Sequence, residues 1–182
     1  ISAQEELDRI VPVLKRLRNK LNIPISIDTY KAKVAARALA LGAEIINDIS
    51  GLTLDPELAR VIVERDAGLV MAHLRGTPET WARLAPLPDV AAAIARDLGA
   101  AVARATRAGI DRRRLVLDPG LGFGKRGDQN YQIIAGLGRL AGLDQPILAG
   151  PSRKSFLGKT LEAPEGSRLF ATAAAVTACI LH

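Results

Sequence analysis

Residues 147–158, ILAGPSRKSFLG, read as a short strand, a glycine-proline turn and the first turns of a helix. Ile147, Leu148 and Ala149 make an apolar run too short for a helix and without polar alternation, the pattern of a central parallel strand covered on both faces. Gly150 and Pro151 then bend the chain, Ser152 is a natural N-cap, and Arg153 and Lys154 stand at a helix N-terminus whose free amides favour an anion. Two cations and a helix dipole aimed together point to a phosphate or a carboxylate. The same pair taken alone is a solvated first turn, so the rest of the chain has to decide between the two.

Outward from this stretch the same beat recurs. IPISID (23–28), AEIINDI (43–49), GLVMAHL (68–74) and RLVLD (114–118) are predicted strands, which with 147–149 makes five in series. Helices are predicted over 2–20, 31–40, 55–64, 89–107, 130–140 and 165–181. The first carries Leu7, Ile10, Leu14, Leu17 and Leu21 at helical spacing and a capping box of Ser2 with Glu5; the fourth is capped by Asp89. The proline-rich loop 75–88 is predicted to be lid-like. Apolar strands alternating with helices mean a parallel sheet with right-handed crossovers, hence α/β. A closed barrel collects polar groups from many strand ends, whereas an open sheet uses one switch point. Here Asp28, Asn47, His73, Asp118 and the 152–154 turn all follow strands, and no GxGxxG opens the first helix after a strand. The pattern therefore favours a TIM-type (β/α)8 barrel.

A chain of 182 residues with 48% hydrophobic content is expected to form one domain. The net charge of +6 is spread without blocks and aromatics are only 3%, which argues against a nucleic-acid partner and for an anionic small molecule. The single cysteine, Cys179, lies in an alanine-rich apolar run and reads as a buried thiol. The longest apolar run, 171–181, falls short of the roughly 20 residues that cross a bilayer. A soluble cytoplasmic protein is expected, without a membrane partner.

Two carboxylates and a carboxamide at strand ends suit the edge of a planar heterocycle, with a lysine donating to its carbonyl. Charge-assisted bonds of that kind contribute about 1.5–3 kcal/mol each, so several in one plane select a ring system such as a base or a pterin. SIDTYKAKVA (26–35), AEIINDISGL (43–52), HLRGTPETW (73–81), LDPGLGFGK (117–125) with QNY (129–131), and GPSRKSFLGK (150–159) resemble, in that order and spacing, the dihydropteroate synthase family.

That resemblance implies a (β/α)8 barrel joining 4-aminobenzoate to 6-hydroxymethyl-7,8-dihydropterin diphosphate, with release of diphosphate, in folate biosynthesis. It implies Asp28, Asn47 and Asp118 as pterin-edge ligands and Lys154 as donor to the pterin carbonyl, with Asp118 and Lys154 the catalytic pair. Phe123 and Ser152 would border aminobenzoate. In the family the C–O bond breaks before the amine attacks, and a buried carboxylate such as Asp118 would stabilise the cationic pterin. Magnesium on the diphosphate and a homodimer are also implied. Ala72, His73 and Leu74 depart from the family's usual Met-His-Met.

The family's magnesium-binding asparagine, its threonine-arginine loop and its last-strand arginine-x-histidine site are not found in these residues. The expectation is a partial barrel domain over 1–182 lacking the first two strands and the last, with exposed edges at 23–28 and 147–149 and no turnover of its own. An inactive pterin-binding subunit or fragment is the alternative reading. An aldolase barrel using Lys154 as a Schiff-base lysine is a further one. His73 reads as a structural histidine and Asp48 as a turn former. Arg75, Arg126 and Arg153 are candidates for the diphosphate or plain surface charges, and Asp28 or Asp118 alone would be turn caps.

Overall fold

A computed structural model describes residues 1–126, 128–160, 162 and 167–182. The chain divides into two compact units, Ile1–Ala72 with Ala100–Val116, and His73–Gly99 with Leu117–His182.

In the first unit α1 (Ala3–Leu17) opens on the expected capping box: the Ser2 hydroxyl accepts from Glu5 N–H, and Glu5 reaches back to Ser2 N–H at 2.6 Å. A cap of this kind contributes about 1 kcal/mol. The helix stops before the predicted 20, because Asn19 adopts a left-handed φ of 60° and Leu21 is left exposed. β1 (Ser26–Asp28) is shorter than 23–28, since Pro24 has no N–H to give a ladder. α2 (Ala32–Ala40) follows almost as predicted. Leu14 of α1 is 2% exposed and packs with Ala38, Leu41 and Ala43, and Ile10, Val11, Ile25, Ile27 and Leu39 close round them. Burying a leucine this fully stabilises by about 2 kcal/mol.

β2 (Ile45–Asp48), α3 (Leu58–Glu64) and β3 (Gly68–Ala72) complete the alternation. β1 pairs with β2 and β2 with β3, both parallel, and the sheet runs in the order β1-β2-β3-β4 with β4 at Leu115–Asp118. Successive strand residues face opposite ways, so in β2 the buried Ile46 and Asp48 share one face and Ile45 and Asn47 the other. In β4 Leu115 and Leu117 are buried while Val116 and Asp118 share the half-buried face. The chain is α/β, with the strand-helix order and parallel pairing of part of a (β/α)8 barrel.

α4 (Val90–Arg107) begins where Asp89 accepts from Ala92 N–H at 3.0 Å, as predicted. The 75–88 segment contains a 3-10 turn at Trp81–Arg83. Instead of one helix over 130–140, α5 (Gln129–Ala135) ends at Gly136 and a 3-10 turn follows at Leu137–Leu143. A side chain at Gly136 would sit 2.9 Å from Ala91 Cβ, so close approach to α4 requires glycine there. Residues 147–149 form only a bridge between Ile147 and Leu117, and Leu148 is 42% exposed. The central, doubly covered strand is thus not found among the described residues. α6 (Ser155–Thr160) begins three residues after Ser152, so Ser152 is not its N-cap. α7 spans Leu169–Leu181; the expected start at 165 lies outside the described residues. Cys179 is half-buried rather than buried. Among the described residues no helix is long and apolar enough to cross a membrane.

Candidate active site

The first unit presents its polar groups at the C-terminal ends of β1 and β2. The parallel register sets Asp28 opposite Asn47, and Asn47 Nδ2 donates to Asp28 Oδ1 at 2.6 Å. Asn47 Oδ1 is buried and has no partner among the described residues. Asp48 faces the other way, fully buried, and accepts from Ser50 N–H, Ser50 Oγ and Leu52 N–H at 2.6–2.8 Å. It closes the turn after β2, as the sequence predicts. Lys31 is tied to Glu6, which also accepts from Thr29 Oγ1.

In the second unit β4 runs into Asp118, Pro119 and Gly120. Asp118 Oδ1 accepts from Gly120 N–H at 2.7 Å, and Asp118 O accepts from His73 N–H at 2.9 Å. Burial pushes the Asp118 carboxyl above the ordinary range, while the Gly120 N–H and the charges of Lys125 and Lys154 pull it back. Gly120 has φ +67°, and a Cβ on it would lie 2.1 Å from His73 O. Only glycine lets the turn run this close to the end of β3.

Lys125 is 5% exposed and was given no role by the sequence. Its ammonium donates to His73 O at 2.6 Å, Gly120 O at 2.7 Å and Pro119 O at 2.9 Å, so all three donors are matched. Burial lowers it to about 7, opposed by Asp118 and reinforced by Lys154 and Arg75. A lysine in the glycine-rich GLGFGK run directly after Asp118 was the signal that could have found it.

Phe123 and Lys154 come together: Lys154 Nζ stands 4.1 Å from the centroid of the Phe123 ring. Trp81 packs on the same ring at 5.9 Å and 58°. Ser152 is exposed ahead of α6, and Arg153 is exposed with φ +53°, its N–H donating to Thr172 Oγ1 at 2.9 Å. A cleft of about 600 Å³ beside them is lined by Trp81, Gly122, Lys125, Asn130, Ser155 and Lys159. Arg126 lines it too, whereas Arg75 is half-buried with Nη1 lacking a partner among the described residues. His73, read from the sequence as structural, is buried, its Nε2 lies 3.1 Å from Asp97 Oδ2, and burial with the Lys125 charge lowers it to about 4 against the pull of Asp97. Among the described residues no group of three or more His, Cys, Asp or Glu is placed to hold a metal ion.

The family model for pterin binding enzymes matches residues 1–182. The dihydropteroate synthase of Synechocystis sp. is 42% identical over 165 residues, which cover 91% of this chain and 57% of that protein. The crystal structure of the Clostridium difficile dihydropteroate synthase in the presence of pteroic acid superposes with a TM-score of 0.91 at 39% identity, over 99% of this chain and 66% of that one. The Xanthomonas albilineans dihydropteroate synthase in complex with 7,8-dihydropteroate gives 0.89 at 36% identity, over 98% and 65%. The chain thus spans between 57% and 66% of the length of these three proteins. Their shared α/β fold agrees with the fold read from the strand ends, and over residues 1–182 this chain belongs to the family of pterin binding enzymes.

Proposed function

We propose that the protein carrying this chain is a dihydropteroate synthase, and that Asp28, Asn47, Asp118 and Lys154 hold the pterin of 6-hydroxymethyl-7,8-dihydropterin diphosphate. The observation that carries this reading is the Asp118 turn: a half-buried carboxylate held on the Gly120 N–H at 2.7 Å, with Lys125 and Lys154 acting on its charge. In the reaction the bond between the pterin methylene and the diphosphate oxygen breaks, and its electron pair leaves with diphosphate. The amine of 4-aminobenzoate then forms the C–N bond and loses a proton to solvent or to the leaving group. Asp118 opposes the positive charge that develops on the pterin, an interaction strengthened by partial removal from water. Lys154 donates to the pterin carbonyl, and its place over Phe123 puts that donor beside the ring proposed to border aminobenzoate.

Ser152 is assigned to the aminobenzoate side, on the exposed turn before α6. On the same reading the protein works in the cytoplasm as a homodimer, and magnesium accompanies the diphosphate. The described residues offer no cluster of His, Cys, Asp or Glu for that ion.

The test is the full-length protein assayed with the pterin diphosphate and 4-aminobenzoate. Asp118→Asn keeps the shape and removes the charge, so turnover should fall at least about a hundredfold with thermal unfolding unchanged. Near-normal turnover in Asp118→Asn overturns the pterin assignment, and pterin binding without turnover in the unaltered protein favours the inactive-subunit reading.

A further inference from the structure

We infer that Lys125 is a positioning residue for the proposed transfer: by holding the Pro119 and Gly120 carbonyls on either side of Gly120 it sets the Asp118 carboxylate and the Phe123 ring together. The inference rests on the synthase reading and deepens it. Lys125 has no donor left for a substrate, because its three N–H bonds go to His73 O, Pro119 O and Gly120 O. It therefore acts through the groups it holds. Gly120 is the hub. Its N–H donates to Asp118 Oδ1 at 2.7 Å, and its carbonyl accepts from Phe123 N–H at 3.0 Å as well as from Lys125.

One residue, Gly120, thus connects the residue assigned to the pterin with the residue assigned to aminobenzoate, and one cation ties it to His73 O. Asn130 closes the loop from the other side: its Nδ2 donates to Lys125 O at 3.0 Å and its Oδ1 accepts from Gly122 N–H at 2.7 Å. A buried lysine with this many carbonyl partners is costly to desolvate, and the fold tolerates it where hydrogen bonds and a carboxylate compensate. The charged groups acting on it are Asp118, Lys154 and Arg75, and those acting on Asp118 are Lys125 and Lys154. Removing Lys125 accordingly takes away a cation that opposes the upward push of burial on the Asp118 carboxyl.

The experiment compares Lys125→Met and Lys125→Arg with the unaltered full-length protein, measuring thermal unfolding, both KM values and the pH dependence of kcat/KM for the pterin diphosphate. In Lys125→Met the acid limb should move up by about one pH unit, and the KM for aminobenzoate should rise about tenfold. Lys125→Arg keeps the charge but forks the donors, so the limb should stay while the aminobenzoate KM rises. A purely structural lysine would lower the unfolding temperature and leave limb and KM alone; that outcome in folded variants overturns the role. Should Lys125→Met not fold, the aminobenzoate KM of Lys125→Arg decides, and a change within twofold refutes the inference. An unaltered protein without synthase activity overturns the synthase reading itself, and this role with it.

Discussion

Gly120→Ala tests how far the Asp118 turn depends on close backbone approach. The new Cβ would stand 2.1 Å from His73 O and 2.8 Å from Lys125 Nζ, well inside the roughly 3.5 Å at which non-bonded heavy atoms meet. The left-handed φ of +67° adds about 1 kcal/mol for any side chain. Relief requires the turn to move away from His73, which breaks at least one of the Lys125 bonds, and a hydrogen bond to a charged group is worth about 1.5–3 kcal/mol. The sum is about 2.5–4 kcal/mol, a large part of the 5–15 kcal/mol that typically holds a domain.

Urea unfolding followed by circular dichroism reads this directly, provided the m value is unchanged. Gly42→Ala is the control: it has φ +102° with nothing within 4 Å, so it carries backbone strain without a clash and should lose only about 1 kcal/mol. Equal losses in the two variants, or less than about 1 kcal/mol at Gly120, would refute the account of the turn.

Two further outcomes are expected. His73 is buried and lowered from 6.5 to about 4, so the unfolded chain binds its proton more readily between those values. Stability that is full above pH 6.5 should therefore fall as pH drops toward 4, by about 3 kcal/mol in total, and unfolding curves of His73→Asn should lack that slope; parallel pH curves would show that burial does not govern this histidine. Phe123→Leu removes the ring between Trp81 and Lys154, so the KM for aminobenzoate should rise several-fold more than that for the pterin diphosphate, and an equal rise in both would remove the aminobenzoate assignment.

Where neighbouring residues decide the structure, the sequence was a good guide. Ser2 with Glu5, and Asp89 before an apolar helix, declare their helix starts within four residues of chain, and both caps form. Asp28 and Asn47 were singled out as strand-end groups, and the parallel register brings them into hydrogen bond. What escaped depends on partners far along the chain. Residues 147–149 read as a doubly covered strand, yet they form a single bridge to Leu117 and leave Leu148 exposed, because an apolar run does not record how many ladder bonds it makes. The helix start was assigned to Ser152, but Arg153 takes a left-handed φ and delays it to Ser155. The break at Gly136 answers to Ala91, 45 residues earlier. The GLGFGK run marks Lys125 as close to Asp118 but not as buried, since its burial depends on the His73 carbonyl, 52 positions away.

Asn47 spends its amide on Asp28 and leaves its own oxygen buried without a donor among the described residues. Leaving such an acceptor unmatched in a complex costs about 1–3 kcal/mol, so a proposed pterin gains there only if it brings an N–H to that point. A ring that places a lone pair there instead meets oxygen with nitrogen and leaves both unmatched. On the pterin assignment proposed above, the end of β2 would discriminate by tautomer rather than by outline, at about ten- to a hundredfold in affinity between two guests of the same shape.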